Sequence, residues 1–418
     1  MRPKYILGMV SVAVCVPVLS SAQGVIHTFK QPSMGVNPYL GLIADAAGNL
    51  YGVTPQGGYN LGPCLHSGCG TAFKITPDGG GGYTFSVVYA FKGGAGGSPT
   101  ADAANPSAPL TVDSAGNLYG TSGNGGFSGD QGTAFEISPL AGGGYAEKVL
   151  YSFGASPTDS AGPQGLVPDS AGNLYGTAAY GGRYGHGTVY ELSPDGTGGW
   201  TEKILYSFTG GNDGGFPYSP APMIWDSAGN LYGTTNAYGV YGQGVVFELS
   251  PVGDGTWTEK ALYSFSGGRG GCSPGSIVFD PAGDIFGIAG CGGNGYLGMM
   301  FELTEAAGVW TLNTVHRFSA TDGDTYGPSS VSRSPAGDLY TTGYYGGKYG
   351  YGAAVRFTPN PGGTWTETDL HSFTGGVDGS NPSWGLLVGI DGNLYGTTAF
   401  GGNAFVQVGN GVAYSLRP

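Results

Sequence analysis

Five histidines, five cysteines and several Asp-Gly loops are the side chains of this 418-residue sequence with the most obvious chemistry to offer. Histidine suits metal binding or proton transfer, but only where several ligands converge. His27, His316 and His371 stand at one position of a recurring segment, which spreads them around the molecule. His66 and His186 fall in separate loops. A metal centre, including a copper oxidase site, is therefore not expected. The acidic stretches Asn212-Asp213-Gly214, Asp322-Gly323-Asp324 and Val377-Asp378-Gly379 make Asp213, Asp322, Asp324 and Asp378 the calcium candidates. One or two carboxylates per loop is thin for an ion that takes six to eight oxygens, and Asx turns explain the pattern equally well. No cofactor is expected.

Ligand binding has better material. Tyr180, Tyr184, His186, Tyr238, Tyr241, Tyr345, Tyr349 and Phe400 lie in variable, glycine-rich loops. Aromatic rings with a polar tip suit the face of a sugar or a protein partner, unless they fold back to seal their own surroundings. Catalysis would need residues that break the repeat. Arg183 with His186, Arg269, Arg317 and Arg333 are the few that do, and none forms a recognisable catalytic set.

The chain opens like an export signal. Arg2 and Lys4 precede an apolar run from Tyr5 to Leu19, and Ser20-Ser21-Ala22 offers a cleavage site after Ala22. Cys15 follows Val14, where a lipoprotein signal prefers a small residue. The expected division is a signal peptide over 1–22 and one mature domain over 23–418. No other segment is apolar for long enough to span a membrane. Because an even number of cysteines then remains in an oxidising compartment, disulfides are expected. Cys272 precedes the first strand of one unit and Cys291 follows its second, so a hairpin folded about the Asp280–Asp284 turn sets them opposite each other. Cys64 and Cys69 would close a single loop. With 15 basic against 28 acidic residues and no basic run, nucleic acid is excluded as a partner.

Glycine accounts for 86 residues and charged residues for only 10%. Disorder is excluded by 40% hydrophobic and 13% aromatic content. Repetition accounts for the composition. The motif Asp-x-Ala-Gly-Asn-Leu-Tyr-Gly begins at Asp45, Asp113, Asp169 and Asp226, and in altered form at Asp280, Ser334 and Asp391. Its Leu or Ile recurs at intervals of 68, 56, 57, 54, 54 and 55 residues. The repeated Asp is expected to cap its turn and the Gly to supply positive φ. Glu136, Glu191 and Glu248 recur on one strand and are expected opposite Lys148, Lys203 and Lys260 on the next.

Four short strand signals fill each unit. In the third they cover Gln164–Pro168, Asn173–Thr177, Gly187–Ser193 and Thr201–Phe208. The fourth alternates, as in Val149-Tyr151-Phe153, while Leu150, Leu205 and Leu262 make the other face apolar too, as stacked sheets require. Seven such units predict an all-β, seven-bladed propeller with four antiparallel strands per blade. Val25 to Phe29 is a fourth strand without a unit before it, and Gly411 to Leu416 a third strand without a successor. The first should complete the last blade and close the ring.

The run Asn-Leu-Tyr-Gly-Thr-Thr, then Gly-Gly, then Gly-Thr-Val-Phe-Glu-Leu-Ser-Pro and Trp-Thr-Glu-Lys-x-Leu-Tyr-Ser-Phe resembles the GloVer tandem repeat of exported bacterial "choice of anchor" proteins, from Val25 onward. More distantly, Tyr180-Gly181-Gly182 followed by Trp200 is similar to kelch repeats. The resemblance implies a surface or secreted protein without an established reaction. No sorting signal follows the last strand, so a C-terminal anchor is not expected. The functional expectation is an exported, monomeric, non-enzymatic scaffold that binds a carbohydrate or protein through its Tyr- and Gly-rich loops. A polysaccharide lyase or hydrolase on the same face and a purely structural surface role are the alternatives.

Overall fold

The computed structural model describes residues 24–58, 64, 67–94, 102–127, 130–292, 295–320, 325–403 and 409–418. The segment read as a signal peptide, together with His66, Asp322 and Asp324, lies outside them. Seven antiparallel sheets follow one another around a ring, six of them with the inner strand first in sequence and the outer strand last. Blade 3 is built from Ser160–Pro168, Leu174–Gly181, Thr188–Pro194 and Trp200–Ser207. Its first hairpin reaches further than the sequence predicts, because Ser160 pairs with Gly181 beyond a bulge between Pro163 and Leu166. In blade 7, Gly24–Thr28 pairs with Val412–Leu416, which pairs with Leu394–Phe400. The chain therefore closes its ring with its own first strand, as expected.

The alternation of the outer strand carries a regular interruption. Val149 faces Phe135 and Tyr151 faces Ala134, which leaves Leu150 as an extra residue. The same shift sets Leu205, Leu262 and Leu370 out of the ladder in blades 3, 4 and 6. These bulged side chains are buried, so the second apolar set of the outer strand arises from the bulge as well as from the alternation.

Adjacent blades meet through seven apolar clusters, each drawn from two neighbouring sheets. Between blades 3 and 4, for example, Phe208 packs edge-on to Phe247. A proline at the start of each blade locks this arrangement. The residue before it adopts positive φ and donates its N–H to a carbonyl of the preceding blade, as in Asn381 to Tyr351 and Asn37 to Asn410. The proline ring then lies on a glycine. A Cβ on Gly352 would stand 2.5 Å from Pro382 Cδ, so a larger residue there would push the blades apart.

Two disulfides join Cys272 to Cys291 and Cys64 to Cys69. Cys272 and Cys291 are register partners, as the hairpin argument requires. Glu136, Glu191 and Glu248 do face Lys148, Lys203 and Lys260. Yet the ammonium groups of Lys148 and Lys203 turn away to the Gly198 and Gly255 carbonyls of the next blade. The glutamates instead accept bonds from Ser138, Ser193 and Ser250. No helix is long and apolar enough to cross a membrane among the described residues.

Candidate functional site

The two faces of the ring differ in how their polar groups are used. On one, the Asp of each repeat is spent on its own turn. The Asp169 carboxylate accepts the N–H groups of Ala171 and Asn173, the Asn173 amide and the Tyr175 hydroxyl. Asp45, Asp113 and Asp226 repeat this set, and the bonds hold Asp45, Asp113 and Asp226 below the usual carboxylate range despite some burial. Groups so fully engaged in several copies define a scaffold rather than a unique site.

The opposite face carries the loops between second and third strands and those entering each new blade. Here Tyr180, His186 and Tyr238 come together around Phe216, a residue not among the sequence candidates. Phe216 lies 5.8 Å from Tyr180, 5.6 Å from His186 and 5.6 Å from Tyr238, centroid to centroid, and His186 lies 4.9 Å from Tyr238. Phe216 and Tyr238 both have positive φ, at 51° and 62°. Bulky side chains hold that conformation only where surrounding contacts enforce it. The carbonyl of Phe216 does so by accepting the N–H groups of Tyr218 and Asn236.

The remaining sequence candidates are dispersed. Tyr184 lies under Arg183 at 5.5 Å, and Tyr241 is exposed on the next blade. Tyr345 contacts Tyr344, and Tyr349 lies under Lys348, both on blade 6. Phe400 ends a strand of blade 7, opposite Ser380. Blades 6 and 7 lie across the ring from blades 3 and 4, so the eight residues do not form one platform.

Three aromatic residues that sequence reasoning missed gather where these loops meet the ring axis. Tyr39, Tyr218 and Trp384 line a mouth of about 300 Å³, with Asn236, Ser273 and Ser383 supplying polar groups. Tyr39 is 40% and Tyr218 58% exposed. Partial burial, and then Tyr218 nearby, raises the pKa of the Tyr39 hydroxyl, which keeps it a neutral hydrogen-bond donor. Tyr218 is two residues from Phe216, and Asn236 of the mouth donates its N–H to the Phe216 carbonyl, so the mouth borders the cluster of Tyr180, His186 and Tyr238. A signal existed in the sequence. Tyr39 and Tyr218 directly follow the repeated proline, where other units carry Ser107, Gln164, Gly275, Ser329 or Ser383.

The calcium candidates that the structure describes serve their own loops. Asp213 accepts bonds from the Thr209 N–H and hydroxyl, the Gly211 N–H and the Tyr206 hydroxyl. Asp378 takes the Thr374 N–H and hydroxyl and pairs with His371 at 3.1 Å. Among the described residues no group of three or more His, Cys, Asp or Glu side chains could hold a metal ion. His27 stacks on Phe85 at 3.7 Å, and burial, followed by Lys30, lowers its pKa to about 4. Arg317 donates to the Arg269 carbonyl, and Arg333 lines the central channel.

The model of the Gloeobacter/Verrucomicrobia repeat matches residues 105–331, more than half of the chain. The protein belongs to this repeat family. No curated protein matches the Gloeobacter/Verrucomicrobia repeat protein significantly. Among solved structures, it is similar to an extracellular domain assigned to a hybrid two component system of B. thetaiotaomicron, with a TM-score of 0.52 at 10% identity. That similarity covers 93% of this chain but 42% of the other, so the repeat protein spans about two fifths of its length. A protein from Lactobacillus plantarum is similar at a TM-score of 0.51 and 14% identity, over 79% of this chain and 84% of that one. Identities this low establish a shared propeller fold only.

Proposed function

We propose that this repeat protein is an exported, monomeric binding scaffold that holds a carbohydrate chain on its loop face. One observation carries the reading. The ring axis opens through a mouth lined by Tyr39, Tyr218 and Trp384, and Asn236 of that mouth donates its N–H to Phe216, which packs on Tyr180 and Tyr238. Flat apolar rings take the C–H faces of sugars, while the tyrosine hydroxyls, Asn236 and Ser383 meet their polar edges. A chain of several sugars is long enough to use both the mouth and the blade 3–4 cluster. A protein ligand on the same rings is the competing occupant.

Export follows from the signal-like residues 1–22, with 23–418 as the mature single domain, and two disulfides suit an oxidising compartment. Glycan-array binding of the mature protein tests the function. The Tyr39→Ala/Tyr218→Ala pair is expected to weaken glycan binding at least tenfold, and Tyr180→Ala/Tyr238→Ala to weaken long chains more than short ones, since loss of a stacked ring removes about 1 kcal/mol or more. Unchanged binding in both double variants, or capture of proteins but no glycan, would overturn the proposal.

A further inference from the structure

The last paired residue of each inner strand faces the Leu or Ile that opens the second. In six blades it is Ala44, Val112, Pro168, Trp225, Phe279 or Val388. In blade 6 it is Arg333. One guanidinium thus breaks an otherwise apolar set at the channel wall, beside the Ser334–Asp338 turn, where a Cβ on Gly337 would stand 3.4 Å from its Nη2.

The channel cavity beside it measures about 560 Å³. Its wall combines apolar groups such as Leu42, Val278 and Leu387 with the hydroxyl-bearing Ser330, Ser332 and Ser334, and no carboxylate lines it among the described residues. Arg333 is half-buried and has no hydrogen-bond or ion-pair partner among those residues. A partly desolvated cation without a counter-charge is costly, and an anion that enters relieves the cost. The guanidinium fork fits the two oxygens of a carboxylate. A lone Arg without a second cation suits a singly charged carboxylate better than a phosphate. The Ser332 hydroxyl already donates to the Leu386 carbonyl and that of Ser334 accepts the Asp338 N–H, so the apolar wall takes the C–H face of a sugar ring and the serines add their remaining hydrogen-bonding capacity. Trp384 lines both this channel and the mouth described above, so a chain held at the mouth borders the channel.

We propose that the channel binds a carboxylate-bearing sugar, a uronate, with its carboxylate on Arg333 and its ring against the Ser330, Ser332 and Ser334 side of the wall. This rests on the carbohydrate reading of the mouth and names the class of sugar it favours. The source is either a free uronate or a uronate within an acidic polysaccharide.

Calorimetric titration of the mature protein resolves these alternatives. The probes are galacturonate, glucuronate and mannuronate, each as monosaccharide and trisaccharide, with neutral trisaccharides and inorganic phosphate beside them. At least one uronate is expected to bind, with affinity reduced tenfold or more in Arg333→Gln, reduced less in Arg333→Lys, and weakened by salt. Neutral chains should bind Arg333→Gln and the parent alike. A trisaccharide that binds much more tightly than its monosaccharide points to a polysaccharide, and equal affinity to the free sugar. If no uronate binds, if Arg333→Gln changes nothing while its melting temperature matches the parent, or if phosphate displaces the uronate and binds more tightly, the proposal fails. Neutral chains that still require Tyr39 and Tyr218 would leave the mouth standing in that case. Arg333-dependent uronate binding that ignores both tyrosines would instead remove the mouth.

Discussion

At Gly120 a Cβ would stand 2.5 Å from Cζ of Phe135, its cross-strand partner. The same juxtaposition recurs at Gly52 with Phe73, Gly176 with Tyr190, Gly233 with Phe247, Gly287 with Phe301 and Gly396 with Tyr414. Blade 6 is the exception on both sides, with Thr341 opposite Val355. A small residue is thus matched to a large one, and a medium residue to a medium one, at the same place in the core. Gly120→Thr alone is expected to cost roughly 1–3 kcal/mol by overpacking. Combined with Phe135→Val, it should cost less than the two single changes added together, by about 1 kcal/mol in urea melts. Strict additivity would show that the pair does not share one volume. The glycine post was legible in the repeat, but its reason was not, because the partner lies on another strand.

At the scale of the strand, the outer strands of blades 2, 3 and 4 bring Glu147, Glu202 and Glu259 into the seams between blades. Burial, followed by Asp102 in one case and Asp213 in the other, pushes Glu147 and Glu259 up to about 8. Glu202 is raised as well, by burial and by its hydrogen bond to Asp159. Above the unfolded carboxyl value of 4.5, the folded protein keeps protons that the unfolded chain has released, so stability falls as pH rises toward 8. The capped aspartates act in the opposite sense. Asp45, Asp113, Asp213 and Asp226 are lowered, so their contribution is lost only as pH drops below 3.8. The melting temperature is expected to be higher near pH 5 than near pH 8, and Glu147→Gln/Glu259→Gln should flatten that difference. A melting temperature that rises from pH 5 to pH 8 would contradict this. From the sequence, the lysines of this strand were expected to pair with Glu136, Glu191 and Glu248 on the strand before, and the glutamates beside them carried no expectation. The bulge and the stacking of sheets decide that its Glu is enclosed while its Lys reaches the next blade's turn.

For the whole molecule, the ring was legible because its signals repeat: seven turns, four strand signals in each unit, a fourth strand at the start without a unit before it and a third strand at the end without a successor. The proposed binding face was only half legible. Tyr180, His186 and Tyr238 cluster because their loops lie on adjacent blades, whereas Tyr345, Tyr349 and Phe400 share composition with them but not place. Tyr39, Tyr218 and Trp384 come from blade entries scattered across more than 340 residues of sequence. Only ring closure brings them to one axis, which no local pattern reveals.

Hydrogen-exchange mass spectrometry of the mature protein with and without a glycan that it binds tests the central claim most directly. Protection is expected in the segments 37–41, 216–219 and 381–385, with the Asp-capped turns of the other face unchanged. Protection confined to those turns, or absent from all three blade entries while the glycan is bound, would contradict a ligand held at the mouth of the ring.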